Sequence, residues 1–334
     1  MTDTATTTLT KKDFVSDQEV RWCPGCGDYA ILAAMQKYMA DSGADPANTV
    51  FVSGIGCSSR FPYYMNTYGF HTIHGRAPAV ATGVKVANPD LSVWIVTGDG
   101  DALSIGGNHL AHILRRNLNV NILLFNNEIY GLTKGQYSPT SPVGTKKKST
   151  PLGSVDRPFN PIAFALGCNA TFVARSVDTD AKHLTRILAA ADAHQGTSFI
   201  EILQNCVIFN KDFYNKVVDR SVRADMTVDL VPGEKIVYGA DKDKGLRFTA
   251  SGLDTCGVDD AEVWDPSTAT VSQAFAIAQL DTDPDTPKPL GIFRAVDAQI
   301  YDESVHEQVQ EAVSAKGEGK IEDLVYSGDC WTVG

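Results

Sequence analysis

The sequence predicts an α/β fold in which helices cover both faces of a parallel sheet, with a C-terminal extension added to it. Three observations predict this fold. Buried strands alternate with helical segments, glycine, acidic and amide residues directly follow the strands, and the regular pattern ends near residue 222. The clearest unit has a strand at 91–97, a helical segment at 103–116 and a strand at 121–125, which predicts a right-handed parallel crossover. Ligands bind at the carboxyl ends of the strands in such sheets.

The remaining elements are predicted from hydrophobic periodicity. Apolar residues at regular spacing predict helices at 30–39, 77–86, 161–166, 181–193 and 302–315, and strands at 49–52, 171–174 and 198–203. Residues 133–161 are rich in Thr, Ser, Pro, Gly and Lys without periodicity, so we expect a long ordered loop or lid there. We expect a core domain at residues 1–222 and an extension at 223–334 that packs on the core or on a partner subunit.

Composition and charge narrow the classes of function. With 334 residues, 43% of them hydrophobic, the chain can bury a substantial core. Residues 1–12 are polar, and no later run approaches the roughly 20 apolar residues that a membrane span requires, so we expect a cytoplasmic protein. The formal net charge of -11 and the pI near 5.1 argue against binding to nucleic acid or to an anionic membrane.

A glycine-rich turn and an amide pair follow the two strands of the predicted crossover. Gly-Asp-Gly at 98–100 and Asn-Asn at 126–127 are together similar to the signature by which thiamine enzymes bind a diphosphate and its magnesium ion. Each motif alone is also an ordinary turn, but their spacing and their position after strands favour a cofactor site. Because Mg²⁺ prefers oxygen ligands, we expect Asp99, the Asn127 side chain and the Ile129 backbone carbonyl to hold it.

Four of the seven cysteines lie around these motifs: Cys23, Cys26, Cys57 and Cys206. In a reducing cytoplasm such a set indicates a metal or redox site rather than disulfides. Their spacing alone leaves zinc, a 4Fe-4S cluster and unligated buried thiols open. The neighbouring thiamine signature favours the cluster, because a cluster accepts electrons one at a time and zinc has no redox chemistry. We expect Cys168, Cys256 and Cys330 to be core or surface thiols and assign them no role.

Two histidines and one basic run are further candidates. His74 precedes a predicted helix start, where an imidazole and free backbone amides could meet a phosphate, although a lone histidine is often structural. His71 is the weaker candidate of the two. The Lys-Lys-Lys run at 146–148 is typical of a solvated loop. Its alternative functions are docking of an acidic electron carrier or binding of coenzyme phosphates.

Taken together, these motifs resemble the β subunit of 2-oxoacid:ferredoxin oxidoreductases over nearly the whole chain. The matching segments are Trp-Cys-Pro-Gly-Cys-Gly at 22–27, Gly-Ile-Gly-Cys-Ser at 54–58, His-Gly-Arg at 74–76, Gly-Asp-Gly-Asp at 98–101, Asn-Asn-x-x-Tyr-Gly-Leu-Thr at 126–133 and Asn-Cys at 205–206. Residues 17–29, 133–136 and 327–333 look most like the 2-oxoglutarate branch of that family. Cys330 departs from the pattern of that ending.

The resemblance implies a set of cofactors in this chain. The four cysteines would carry one 4Fe-4S cluster, and thiamine diphosphate would bind with Mg²⁺. The carboxylate that activates the aminopyrimidine ring would come from a separate α subunit, so no catalytic residue is assigned here. The implied thiamine contacts are Ile55, Gly56, Cys57, Ser58, His74, Gly75, Gly98, Asp99, Gly100, Asp101, Asn127, Ile129, Tyr130, Gly131, Leu132 and Thr133.

The resemblance also implies an activity. It is the oxidative decarboxylation of 2-oxoglutarate with coenzyme A to succinyl-CoA and CO2, with single electrons passing through the cluster to ferredoxin, and the reverse carboxylation at the same site. An α2β2 assembly is implied. The alternatives are a pyruvate or branched-chain 2-oxoacid enzyme of the same family, a non-redox thiamine enzyme subunit with structural zinc, and a non-catalytic zinc module that binds a partner.

Overall fold

An eight-stranded sheet forms the centre of the computed structural model, which describes residues 9–211, 213–250, 252–282 and 285–334. Most of the polar N-terminal stretch expected from the sequence, residues 1–8, lies outside the described residues. The strands are β1 (Thr49–Ser53), β2 (Tyr68–His71), β3 (Ser92–Gly98), β4 (Asn121–Asn126), β5 (Ile129–Tyr130), β6 (Gln136–Tyr137), β7 (Phe172–Val177), β8 (Ser198–Leu203), β9 (Thr227–Leu230), β10 (Val237–Tyr238), β11 (Lys244–Thr249), β12 (Gly252–Gly257) and β13 (Lys288–Ala295).

The central sheet is mostly parallel. Its strand order is β2-β1-β3-β4-β8-β7-β13-β9, and the six strands from β2 to β7 run parallel to one another. Strand β13 pairs antiparallel with β7, and β9 pairs parallel with β13. The predicted parallel crossover is confirmed, because β3 and β4 are parallel neighbours. The carboxyl ends of β1, β3, β4 and β8 therefore lie side by side at one edge.

Twelve α-helices connect or flank the strands within the described residues. They are α1 (Asp28–Ser42), α2 (Phe61–Tyr64), α3 (Ala77–Ala87), α4 (Asp99–Leu103), α5 (Gly107–Arg116), α6 (Pro161–Gly167), α7 (Ala181–Ala193), α8 (Asn215–Val218), α9 (Arg223–Met226), α10 (Val271–Ala278), α11 (Tyr301–Lys316) and α12 (Ile321–Val325). Local chemistry marks their ends. The Asp180 carboxylate accepts the His183 N–H and caps α7, and Gly43 ends α1 with a φ of 73°. The helices predicted from periodicity are confirmed to within a few residues.

A hydrophobic core lies on each face of the sheet, and helices cover both cores. Along β3, Val93 and Ile95 belong to the core under α3, α5, α6 and α10, whereas Trp94 and Val96 belong to the core under α1 and α7. This alternation follows from the two-residue repeat of a strand, and both faces are apolar because both are covered. The fold class predicted from the sequence is thus confirmed.

The helical segment predicted at 103–116 is two helices. Helix α4 begins directly at Asp99, and the backbone breaks at Ser104 before α5 begins at Gly107. The break lies where two loops touch, since a Cβ on Gly106 would come within 2.9 Å of the Gly75 Cα. The chain packs there at a distance that only glycine permits.

The extension contributes to the core and also extends away from it. Strands β9 and β13 complete one end of the central sheet, and β10, β11 and β12 form a small antiparallel sheet. Every residue from 307 to 334 is exposed. The division of the chain at residue 222 stays a prediction.

The loop predicted at 133–161 contains one short strand, β6, which pairs with β5. No helix among the described residues combines the length and the apolar character needed to cross a bilayer.

Candidate functional site

A cavity of about 350 Å³ lies at the carboxyl ends of the central strands. The loops after β1, β3 and β4 form its walls, as the sequence predicted for this edge of the sheet. All of the predicted thiamine contacts except Gly75 line this cavity: Ile55, Gly56, Cys57, Ser58, His74, Gly98, Asp99, Gly100, Asp101, Asn127, Ile129, Tyr130, Gly131, Leu132 and Thr133. The sequence therefore located the cavity. Which of these residues contact a cofactor stays a prediction.

Asp99 is a buried carboxylate on the cavity wall. Its Oδ2 accepts hydrogen bonds from the Ser138 hydroxyl at 2.5 Å and the Thr140 hydroxyl at 2.6 Å, and neither partner carries a charge. Burial raises the pKa of Asp99 to about 6, although the two hydroxyls favour its ionised form. An ionised Asp99 at neutral pH is thus a buried negative charge that a bound cation would stabilise.

Asn127 and Ile129 follow β4 and also line this cavity. The Asn127 Oδ1 accepts the Ile129 N–H at 3.2 Å, and its Nδ2 donates to the Gln204 Oε1 at 2.7 Å. Glu128 between them has a φ of 55°, the left-handed conformation that such a tight turn requires. These two hydrogen bonds fix the orientation of the Asn127 side-chain amide. The predicted magnesium ligands Asp99, Asn127 and Ile129 all line the same cavity.

Close backbone approaches shape the cavity. The Tyr130 hydroxyl donates to the Gly100 carbonyl at 3.1 Å, and a Cβ on Gly100 would overlap the Tyr130 ring. A Cβ on Gly131 would come within 3.3 Å of the Cys57 Sγ. These glycines therefore let the loops around the cavity pack closely against each other.

The Asp101 carboxylate, on α4, links the loop at Gly75 to strand β3 and is not free. Its Oδ1 accepts the Gly75 N–H and its Oδ2 accepts the Thr97 hydroxyl, both at 2.8 Å. Gly75 therefore supports the cavity through Asp101 without lining it. His74 does line the cavity. His71 does not, because it lies on β2 with its Nδ1 3.1 Å from the Ser53 hydroxyl and its ring against Tyr63.

Two buried polar side chains at the cavity have no hydrogen-bond partner. Both Asp28 oxygens and the Ser58 hydroxyl are buried without one. Burial raises the pKa of Asp28 to about 7, with a smaller contribution from Asp178, although the neighbouring Cys26 thiol favours the ionised form. Buried polar groups are normally satisfied, so unsatisfied ones at a cavity wall indicate a polar ligand. Sequence reasoning missed Asp28, because an acid in the first turn of a helix is an ordinary helix-start signal.

A second cavity of about 240 Å³ adjoins the first, and all four predicted cysteines line it. Its lining residues include Cys23, Cys26, Cys57 and Cys206. The two cavities share a wall formed by Cys57, Asn127, Gly131, Leu132 and Gln204. The sequence therefore predicted the gathering of the cysteines beside the first cavity correctly.

Gln204 and Asp178 hold the cysteine loops in place. The Gln204 Nε2 donates to the Cys26 Sγ at 3.3 Å, while its Oε1 accepts from Asn127, so one amide links the two cavities. The Asp178 carboxylate accepts the Asn205 N–H at 2.8 Å and the Tyr214 hydroxyl at 2.7 Å. No local motif marks either residue. Their only sequence signal is that each follows a buried strand.

Protonation of the cysteines depends on their burial. Burial, with Asp28 nearby, raises the pKa of Cys57 to about 12, and burial raises the pKa of Cys26 as well. Metal ligation requires thiolates, so the positive charge of a bound metal would have to offset the effect of burial on the pKa of these thiols. Among the described residues, no three His, Cys, Asp or Glu side chains are placed to share a single metal ion.

The other cysteines and the basic run lie apart from the first cavity. Cys168, Cys256 and Cys330 line neither cavity, and all seven cysteines are free thiols. Residues 146–148 do not line the first cavity either.

Sequence reasoning missed Ser138 and Thr140, which donate hydrogen bonds to Asp99. A Ser- and Thr-rich segment without periodicity indicates only a loop.

Comparison with known proteins identifies the family. The family model of the thiamine pyrophosphate enzyme C-terminal TPP binding domain matches residues 54–202. This range contains Cys57 and every residue that lines the first cavity except Asp28 and Gln204, but not Cys23, Cys26 or Cys206. The 2-oxoglutarate oxidoreductase subunit KorB of Mycobacterium tuberculosis is 51% identical over 329 residues, covering 96% of this chain and 88% of the relative. Subunit beta of 2-oxoacid:ferredoxin oxidoreductase 1 from Aeropyrum pernix is 54% identical over 193 residues, covering 58% of this chain and 60% of that one.

A solved structure agrees with these relatives. The chain superposes on a 2-oxoglutarate:ferredoxin oxidoreductase from Magnetococcus marinus with a TM-score of 0.77 at 33% identity, covering 96% of this chain and 97% of that one. That structure holds 2-oxoglutarate, coenzyme A and succinyl-CoA. The resemblance inferred from the motifs is confirmed. The chain therefore belongs to the family of 2-oxoacid:ferredoxin oxidoreductase β subunits, which includes the KorB subunits of 2-oxoglutarate oxidoreductases.

Proposed function

We propose that this chain is the β subunit of a 2-oxoglutarate:ferredoxin oxidoreductase. With an α subunit it would convert 2-oxoglutarate and coenzyme A to succinyl-CoA and CO2, pass single electrons to ferredoxin, and catalyse the reverse carboxylation. The observation that carries the proposal is the wall shared by the two cavities, because it would put a carbon-bond-cleaving cofactor beside a one-electron centre. The Magnetococcus marinus structure, with 2-oxoglutarate and coenzyme A bound, supports this choice of substrates.

The first cavity fits thiamine diphosphate with Mg²⁺. When bound, thiamine diphosphate supplies an electron sink for the charge left on a 2-oxoacid when CO2 departs. Asp99 and Asn127, with the Ile129 carbonyl, would hold the cation. The backbone at Gly98, Gly100 and Gly131, which lines the cavity, would face the phosphates, and the unpaired Ser58 hydroxyl would donate to one of their oxygens. The buried carboxylate and the missing hydrogen-bond partners support this fit.

The second cavity fits a 4Fe-4S cluster held by Cys23, Cys26, Cys57 and Cys206. On a tetrahedral zinc, four sulfurs would stand about 3.8 Å apart, because the Zn–S bond is about 2.3 Å. All four cysteines line one cavity of about 240 Å³, which leaves room among them for a group larger than a single ion. The Gln204 amide would donate to the Cys26 sulfur, which favours its thiolate.

The active site would be completed by a partner. Ile105 and Leu132 line the mouth of the first cavity with 58% and 64% of their surface exposed, which suits coverage by another subunit. We place there the α subunit, which would bring the activating carboxylate and further contacts to substrate and coenzyme A, in an α2β2 assembly. The seven free thiols suit a cytoplasmic location.

The anaerobic visible spectrum of the α/β complex tests this proposal. We expect the cluster absorbance to bleach on addition of 2-oxoglutarate with coenzyme A and not with pyruvate. Bleaching by pyruvate instead would assign the enzyme to the pyruvate branch. A colourless complex that contains zinc and responds to neither acid would overturn the redox function and indicate a structural zinc site.

A further inference from the structure

The basic run at 146–148 lies beside the cluster cavity. The Lys147 Nζ donates to the Phe209 carbonyl at 2.7 Å, and Phe209 and Cys206 both line that cavity. Lys147 and Thr150 exchange backbone hydrogen bonds of 3.3 and 3.0 Å, which close a tight turn. Lys146 and Lys148, the neighbours of Lys147 in the chain, are exposed.

This placement bears on the two functions that the sequence left open for the basic run, docking of an electron carrier and binding of coenzyme phosphates. None of the three lysines lines the first cavity, where the coenzyme thiol would react. Their connection is instead to the Cys206–Phe209 loop. Two arginines, Arg21 and Arg60, also line the cluster cavity. Arg21 is exposed and pairs at its surface with Glu19.

The exposed Lys146 and Lys148 form a local positive patch on a chain whose formal net charge is -11. Beside that patch the cluster cavity comes close to solvent, because Cys23 is exposed and Ile208 exposes 57% of its surface. A carrier that takes an electron must dock where the donor is nearest the surface, since electron transfer slows steeply with distance. An exposed apolar side chain near a positive patch suits a transient, electrostatically steered encounter.

We propose that Lys146 and Lys148, beside the loop that carries Ile208 and Phe209, form the docking surface for the acidic one-electron carrier. This inference rests on the proposed function and names the partner surface of the same site. The carrier is an acidic iron–sulfur protein of the ferredoxin type. One electron leaves the reduced cluster of this chain and reduces the carrier cluster by one electron, so no bond forms and no proton moves.

The test is charge reversal in the α/β complex, with Lys146→Glu combined with Lys148→Glu. Lys147 is left unchanged because it holds the Phe209 loop. The matched control is Lys242→Glu with Lys316→Glu, which changes the charge by the same amount on the C-terminal extension. Initial rates with 2-oxoglutarate and coenzyme A are measured with ferredoxin and, separately, with methyl viologen, a small cationic acceptor that needs no docking surface.

We expect kcat/KM for ferredoxin to fall about 10-fold in the reversal variant at low ionic strength, because steering by surface charge changes association rates by that order. The difference from wild type should shrink as salt screens the charges. Methyl viologen reduction and the control variant should keep wild-type values. These results together would support the docking surface.

Three results would overturn it. The first is an unchanged kcat/KM for ferredoxin in the reversal variant, and the second is an equal fall in the control. The third is a raised KM for coenzyme A with methyl viologen as acceptor, which would assign the lysines to the coenzyme. A wild-type complex that reduces neither acceptor would overturn the proposed function itself and the docking surface with it, and so differs from all three.

Discussion

Replacing Asp99 with asparagine should stabilise the cofactor-free protein and abolish its response to Mg²⁺. The Asp99 carboxylate is buried, and its partners are the uncharged hydroxyls of Ser138 and Thr140. An asparagine keeps an oxygen that can accept from those hydroxyls, has nearly the same volume and carries no charge. The substitution therefore removes the cost of a buried charge together with the principal ligand of the cation.

The size of the effect follows from the pKa of Asp99. Burial raises it from 3.8 to about 6, so the folded state holds the proton more tightly than the unfolded chain. Stability from this group is thus fully present below pH 3.8 and is lost as the pH rises through about 6. Two pKa units correspond to about 3 kcal/mol at neutral pH. Since the amide nitrogen of asparagine also needs a partner, we expect a net gain of about 1 to 3 kcal/mol.

The assay is thermal denaturation of the cofactor-free α/β complex at pH 7.5 and at pH 5, with and without Mg²⁺ and thiamine diphosphate. Without cofactor, Asp99→Asn should melt above wild type at pH 7.5 and by a smaller margin at pH 5. With both cofactors, wild type should gain about 2.7 kcal/mol at a hundredfold excess over Kd, and the variant should gain nothing. A variant that melts below wild type without cofactor, or one that responds fully to Mg²⁺, would refute the reasoning.

Three further substitutions have clear expected outcomes. Gly100→Ala should raise the Kd for thiamine diphosphate, measured by calorimetry, at least tenfold, because its Cβ would overlap the Tyr130 ring; wild-type affinity would contradict the close approach. Cys206→Ser should keep thiamine binding but lower iron content and ferredoxin reduction; normal values for both would remove Cys206 from the cluster. Glu201→Gln should lower the free energy of unfolding in urea by about 3 to 5 kcal/mol, because it removes the buried carboxylate charge that lies 2.7 Å from the Arg175 guanidinium. A loss near zero would mean that Arg175 has another partner of comparable strength.

The sequence predicted those parts of the fold that depend on local patterns. The strand at 91–97 was correct to within one residue, because a buried parallel strand is a continuous apolar run bounded by turn residues. The two-helix arrangement after Asp99 was not predicted. The break at Ser104 depends on the approach of Gly75 to Gly106, which lie far apart in the chain, and hydrophobic periodicity carries no information about such contacts.

The same distinction applies to the candidate site. Asp99 and Asn127 could be predicted because each stands in a short motif directly after a strand. Gln204 and Thr140 could not, since their roles depend on hydrogen bonds to Asn127 and Asp99 across 77 and 41 residues of sequence. The antiparallel pairing of β13 with β7 was likewise unpredictable, because 111 residues or more separate the ends of the two strands in the chain, from Val177 to Lys288.

The wall between the two cavities limits how this protein can change. Cys57, Asn127, Gly131, Leu132 and Gln204 each face both cavities, so a substitution that reshapes one reshapes the other. A substitution in this wall would therefore change both the preference among 2-oxoacids and the redox potential of the cluster. An engineer who seeks a new substrate would do better to start at the opposite side of the first cavity, at His74 or Ile105, where a substitution leaves the cysteine loops untouched.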